Sequence, residues 1–185
     1  MTRYNNVDKI TYATDAGSAL GTGLGGSISN PAGISNSGVA GYSCGGYEYS
    51  NITTVYKFAY SDDSRTTLGT GLANATEGAS GVSNSGTAGY VCGGYTVGAS
   101  PSIDKFAFPS DSRSTLGVGL PAAVYNAGAT SDSGTGGYIC GGYSGGFLTA
   151  IKKLLFVDDS SSTLSIVLTT ATSDMKQGFG NWIPE

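Results

Sequence analysis

The chain has 185 residues, enough for one domain with its own core, and carries nine Lys/Arg against thirteen Asp/Glu for a net charge of −4. So few and scattered basic residues exclude a counterion-displacing grip on nucleic acid, and no apolar run reaches the ~18 residues of a transmembrane helix. Glycine is 31 residues and tyrosine 12, while the absence of histidine excludes Ser-His-Asp and Cys-His devices and imidazole metal ligands.

The N-terminal Met1-Thr2-Arg3-Tyr4 lacks the apolar region of a signal peptide. Export by another route, a leader absent from this chain, or release by lysis are the readings left open. The first feature of organisation is Gly41-Tyr42-Ser43-Cys44-Gly45-Gly46-Tyr47, which returns at Gly89 to Tyr95 and at Gly137 to Tyr143. Cys44, Cys92 and Cys140 stand 48 residues apart. So do Lys9, Lys57, Lys105 and Lys153; Leu20, Leu68, Leu116 and Leu164; Leu24, Leu72, Leu120 and Leu168; and Asp15, Asp63, Asp111 and Asp159. A period of this length marks solenoids, propellers or arrays. The chain reads as a single repeat domain, 1–185, with units of roughly 1–41, 42–89, 90–137 and 138–185.

Each unit predicts four short strands, seen most clearly in the third. Ile103 to Phe108 alternates apolar and polar residues, the period of a strand with one buried face. Pro109-Ser110-Asp111-Ser112 supplies turn chemistry. Ser114 to Leu120 predicts a second strand with Leu116, Val118 and Leu120 on one face. Ala127 to Thr130 leads a third, closed by Ser131-Asp132-Ser133-Gly134. Gly137 to Gly142 is the fourth, with Tyr138 and Cys140 on one face and Ile139 on the other. No segment has a capped 3.6-residue period, so little helix is expected.

Four strands per repeat is the plan of a propeller blade. The repeat resembles the kelch repeat: Gly45-Gly46, Gly93-Gly94 and Gly141-Gly142 stand where that family has a Gly-Gly pair ending its second strand. The family's fourth-strand Trp and first-strand Arg have no counterpart, and Leu20, Leu68, Leu116 and Leu164 stand near the Trp position. The order Ser35-Asn36-Ser37-Gly38, then Gly-Tyr, then Gly-Gly, repeated from Ser83-Asn84-Ser85-Gly86, is also similar to Gly-Tyr-rich repeats of phage tail-fibre and virion structural proteins. The resemblance implies an all-β, kelch-like β-propeller of about four four-stranded blades. Four full repeats would need 192 residues, seven more than are present. One blade is therefore expected to be closed by both termini, with Asn5 to Leu24 giving two outer strands and Gly178 to Ile183 the inner one, or else by another chain.

The function expected is that of a non-catalytic binding or structural module, extracellular or on a virion surface, recognising carbohydrate or a receptor. Tyr47, Tyr95 and Tyr143, with Asn36, Asn84 and Asp132 in the repeated turns, are the candidate ligand-binding residues; packing between blades is the alternative for the tyrosines. A second reading is a self-assembling subunit, a filament or larger ring, using its incomplete terminal blade as a homo-oligomer contact. A polysaccharide-acting enzyme is a third, since paired carboxylates can hydrolyse glycosides, but identical turns on separate blades are expected to point apart. No catalytic residue, cofactor or metal site is expected. The cysteines read as buried free thiols, the Gly-Gly pairs as positions of close backbone approach, Asp15, Asp62, Asp63, Asp111, Asp158 and Asp159 as turn formers, and the lysines as a solvated or edge face. Asn51-Ile52-Thr53 and Asn74-Ala75-Thr76 match the glycosylation acceptor pattern.

Overall fold

The computed structural model describes residues 4–173. It contains fourteen strands: β1 (Asp8–Thr11), β2 (Ala16–Ala19), β3 (Ala32–Asn36), β4 (Ala40–Cys44), β5 (Val55–Ala59), β6 (Arg65–Thr67), β7 (Ser80–Asn84), β8 (Ala88–Cys92), β9 (Ile103–Ala107), β10 (Ser112–Thr115), β11 (Gly128–Asp132), β12 (Gly136–Cys140), β13 (Leu148–Leu155) and β14 (Ser161–Thr172). No helix occurs among the described residues.

The strands form three four-stranded antiparallel sheets, in the orders β3-β4-β5-β6, β7-β8-β9-β10 and β11-β12-β13-β14, and one two-stranded ribbon, β1-β2. Every sheet is a meander, because neighbouring strands are joined by turns rather than crossovers. The register repeats with the sequence: Tyr42 faces Lys57, Tyr90 faces Lys105, and Tyr138 faces Lys153. Each sheet begins twelve residues ahead of its cysteine, at 32, 80 and 128, so unit boundaries drawn at 42, 90 and 138 cut through the second strand. The ribbon places two strands within Asn5 to Leu24, where two were expected. Gly178 to Ile183 lies outside the described residues.

One strand lies elsewhere than its sequence suggests. In the third unit the fourth strand of the sheet is Ser112–Thr115: it begins at the last residue of the stretch read as turn, overlaps the expected Ser114 to Leu120 at Ser114 and Thr115, and stops there. Leu116 and Leu120 still donate their N–H groups to Ile103 and Pro101 carbonyls (2.9 and 2.7 Å). Leu120 is buried, Leu116 half-buried and Val118 exposed. The leucines therefore hold the edge in place while the chain between them bows away from the sheet.

The core lies between the sheets, in three clusters that each join one unit to the next. Ile34, Tyr42, Cys44 and Val55 of the first sheet pack on Val91, Phe106 and Phe108 of the second. Val82, Tyr90, Cys92 and Ile103 of the second pack on Ile139, Leu154 and Phe156 of the third. Val7, Leu20 and Leu24 beside the ribbon pack on Tyr56 and Phe58 of the first. The middle sheet is thus apolar on both faces, which is why β8 is buried at every position while β4 alternates. Tyr42 stacks on Phe108 with ring centroids 5.3 Å apart, and Tyr90 on Phe156 at 5.2 Å, the same contact one unit on.

Candidate functional site

The repeated polar residues hold the stack together. Lys9 Nζ lies 2.8 Å from Asp63, Lys57 Nζ 2.6 Å from Asp111, and Lys105 Nζ 2.6 Å from Asp159. Each pair joins one unit to the next. Tyr42 Oη donates to Asp111 Oδ1 (2.7 Å) and Tyr90 Oη to Asp159 Oδ1 (2.8 Å). A Tyr and a Lys on adjacent strands thus clamp a single carboxylate on the neighbouring sheet. Burial first, and then the Asp111 bond, push the Tyr42 phenol above its ordinary 10.0; the same causes act on Tyr90 through Asp159. Lys9, Lys57 and Lys105, expected as a solvated or edge face, are instead inter-sheet clamps; Lys153, the fourth of the series, is in no ion pair among the described residues.

The aspartates divide by role. Asp63, Asp111 and Asp159 take positive φ values of 56°, 55° and 58° and aim at the preceding unit. Asp62 and Asp158 accept the N–H of Ser64 and Ser160 (3.0 Å each), closing Asx turns; the Ser64 and Ser160 hydroxyls first, and then these N–H groups, hold the two carboxyls below the usual range. Among the described residues no three acidic or thiol groups converge. The cysteines are free; Cys44 and Cys92 are buried and Cys140 half-buried. Burial pushes the Cys92 thiol up to about 12 and raises Cys140 as well.

The six candidate ligand residues do not form one site. Asn36, Asn84 and Asp132 end the edge strands β3, β7 and β11, whereas Tyr47, Tyr95 and Tyr143 follow β4, β8 and β12 and bridge back to the residues ahead of those edge strands. At ~3.4 Å per residue the five-residue strands separate the two sets by roughly 15 Å or more. Asn36 Oδ1 accepts the N–H of Gly86 (3.1 Å), and Asn84 Oδ1 that of Gly134 (2.9 Å). Both asparagines are thus committed to the next unit's turn. Asp132, the equivalent in the last sheet, is exposed.

The tyrosines fare differently. Tyr95 and Tyr125 lie 5.2 Å apart edge to face, Tyr125 and Tyr143 5.5 Å apart, and Tyr143 and Phe147 5.5 Å apart. Four aromatic rings form a ridge across two neighbouring Gly-Gly-Tyr loops. Phe147 is exposed, Tyr95 marginally so, and Tyr143 partly so. Tyr47 occupies the same position one unit earlier. Tyr125 and Phe147 were not among the candidates. Their signal is a departure from the repeat: Tyr125 replaces Ser29 and Glu77, and Phe147 replaces Asn51 and Ala99, at positions that bridge to the repeated tyrosine.

The loops that carry the ridge are built on the Gly-Gly pairs. Gly45 and Gly46 have φ of +62° and +102°, and the Gly46 N–H donates to the Thr76 carbonyl of the next unit (2.8 Å). A side chain at Gly45 would meet that same carbonyl oxygen at 2.5 Å. Asn51 Nδ2 donates to the Tyr95 carbonyl (2.8 Å), so this acceptor pattern's amide helps to fix the ridge loop. Asn74 is exposed, but its Thr76 is buried and bonds back to the Asn74 carbonyl (2.9 Å).

A second surface is a groove of about 1000 Å³ along β3, β7 and β11. Serine is the commonest residue of its lining, among glycine, alanine and a few larger apolar side chains. The serine hydroxyls are partly engaged, since Ser83 and Ser131 accept the N–H groups of Ser35 and Ser83 (2.9 and 2.8 Å) across the sheets.

No protein-family model matches the chain, and no curated protein matches it. Among solved structures, that of YjhT superposes with a TM-score of 0.72 at 14% sequence identity, over 92% of this chain and 68% of that one. The two share a fold. At this identity the likeness carries the arrangement of sheets and nothing of the chemistry.

Proposed function

We propose that the sheets are blades of a kelch-like β-propeller and that the chain is a non-catalytic recognition module, with carbohydrate as its ligand and the aromatic ridge as its binding surface. Three observations support the propeller: face-to-face meanders, edge strands that neighbour one another from unit to unit, and a groove running along them. The ridge carries the function. Four rings at 5.2 to 5.5 Å, packed edge to face or tilted, form a continuous aromatic surface at a loop end. Sugars offer C–H faces to such rings and hydroxyls to the surrounding backbone and Ser side chains. A place on a virion or cell surface follows the likeness to phage fibre repeats.

A glycan array followed by calorimetry tests this reading. Binding is expected, and Tyr143→Ala is expected to weaken it about tenfold or more, the loss of one well-packed aromatic contact. Absence of any glycan ligand, or binding indifferent to Tyr143 and Phe147, would contradict it.

A further inference from the structure

Among the described residues, the clamp that joins successive units is half-built at each end of the stack. In the third sheet Tyr138 and Lys153 face each other across β12 and β13, with Lys153 Nζ 5.5 Å from the Tyr138 ring centroid. The corresponding distances are 5.5 Å for Lys57 and Tyr42 and 5.3 Å for Lys105 and Tyr90. The donor pair is therefore already in the geometry that grips Asp111 and Asp159. Among the described residues neither Tyr138 nor Lys153 reaches a carboxylate.

The other half lies on the ribbon. Asp15 holds φ = 52°, as its clamped counterparts do, in the turn between β1 and β2. It is exposed and outside every ion pair of the described residues. Tyr12 stands in register with Phe108 and Phe156, the rings on which Tyr42 and Tyr90 stack, yet it is 93% exposed. Ile10 is in register with Phe58, Phe106 and Leu154, which are 9%, 0% and 0% exposed; Ile10 is 63% exposed. On the opposite end the same contrast appears. Cys140 and Ile151 are half-buried where Cys44, Cys92, Val55 and Ile103 are buried.

We propose that the open face of the third sheet docks on the β1-β2 ribbon of a second copy of this chain, with Tyr138 and Lys153 clamping the second copy's Asp15 and Tyr138 stacking on its Tyr12. Complementary charge and continuity with the two internal interfaces argue for this occupant. The contact is head-to-tail, so repetition gives a ring if the rotation closes and a filament if it does not. It rests on the stacking of the sheets and is independent of the sugar-binding reading.

Size-exclusion chromatography with light scattering, on the full chain over a wide concentration range, is the test. Species at multiples of 18.5 kDa are expected. Asp15→Lys and Lys153→Asp are each expected to weaken association about tenfold or more, and the combined reversal to restore it. Tyr12→Ala, at a site too exposed to matter for folding, is expected to weaken it as well. Cys140 is expected to react more slowly with a thiol reagent in the associated fraction. An 18.5 kDa species at all concentrations, including one in which Asp15 and Lys153 pair within a chain, would overturn the proposal. So would single variants that associate like the parent, or a combined reversal that fails to restore association.

Discussion

At the scale of single residues, the polar side chains are arranged as clamps. Asp111 receives Lys57 and Tyr42 together and is mostly shielded from water. Asp111→Asn keeps the shape but loses the charge, and is expected to cost about 2 kcal/mol in urea unfolding, the scale of a charge-assisted hydrogen bond in a partly buried site. Lys152 is the counter-example. It is 1% exposed, and its ammonium has no hydrogen-bond partner among the described residues. Burial lowers its pKa from the ordinary 10.5, an effect that the neighbouring Cys140 opposes. A Lys whose folded pKa is depressed destabilises the fold while charged, and that penalty is relieved as pH rises through the folded value toward 10.5. Lys152→Met is therefore expected to stabilise the protein by about 1–3 kcal/mol at neutral pH. The gain over the parent should shrink on the alkaline side, as followed by thermal melts across pH. Little of this residue-scale logic was legible in the sequence. The 48-residue series of Lys and Asp was plain, but each Lys meets the Asp of the following unit, 54 positions away, and nothing in a strand's own pattern says which turn it will face.

At the scale of elements, the spacing between sheets is set by what is missing from glycine. A methyl on Gly137 would lie 2.5 Å from Val82 Cγ2 and 2.6 Å from Val82 Cβ, on a stiff β-branched neighbour. Gly33 has nothing within 4 Å of the same position, and neither residue needs a positive φ. Gly137→Ala is expected to lose about 2 kcal/mol by overpacking, while Gly33→Ala should stay within about 0.5 kcal/mol; chemical denaturation of the two variants separates the cases. Strand identity was well signalled at this scale, because alternation and turn residues are local. The last strand of the third unit was started two residues late and carried past Thr115 because Leu116 and Leu120 mark hydrogen bonds to Ile103 and Pro101 rather than a continuous pleat. Tyr125 and Phe147 were missed for the opposite reason: attention to what repeats hides what departs from the repeat.

At the scale of the whole molecule, the sheets are stabilised by neighbours rather than by themselves, as in other repeat architectures. The middle sheet, β7 to β10, is covered on both faces; the ribbon is exposed along nearly its whole length. Hydrogen exchange is expected to be slowest in β8 and fastest in β1 and β2, with the outer faces opening before the centre. Uniform protection across the four units would contradict this gradient.

Consecutive 48-residue units meet face to face, and the Lys of one grips the Asp of the next. A double-mutant cycle on Lys105 and Asp159 tests it most directly, with Lys105 and Asp111 of one unit as the control pair. A coupling energy of about 1–3 kcal/mol is predicted for the first pair and less than about 0.5 kcal/mol for the second. Coupling within the unit and none between units would contradict it.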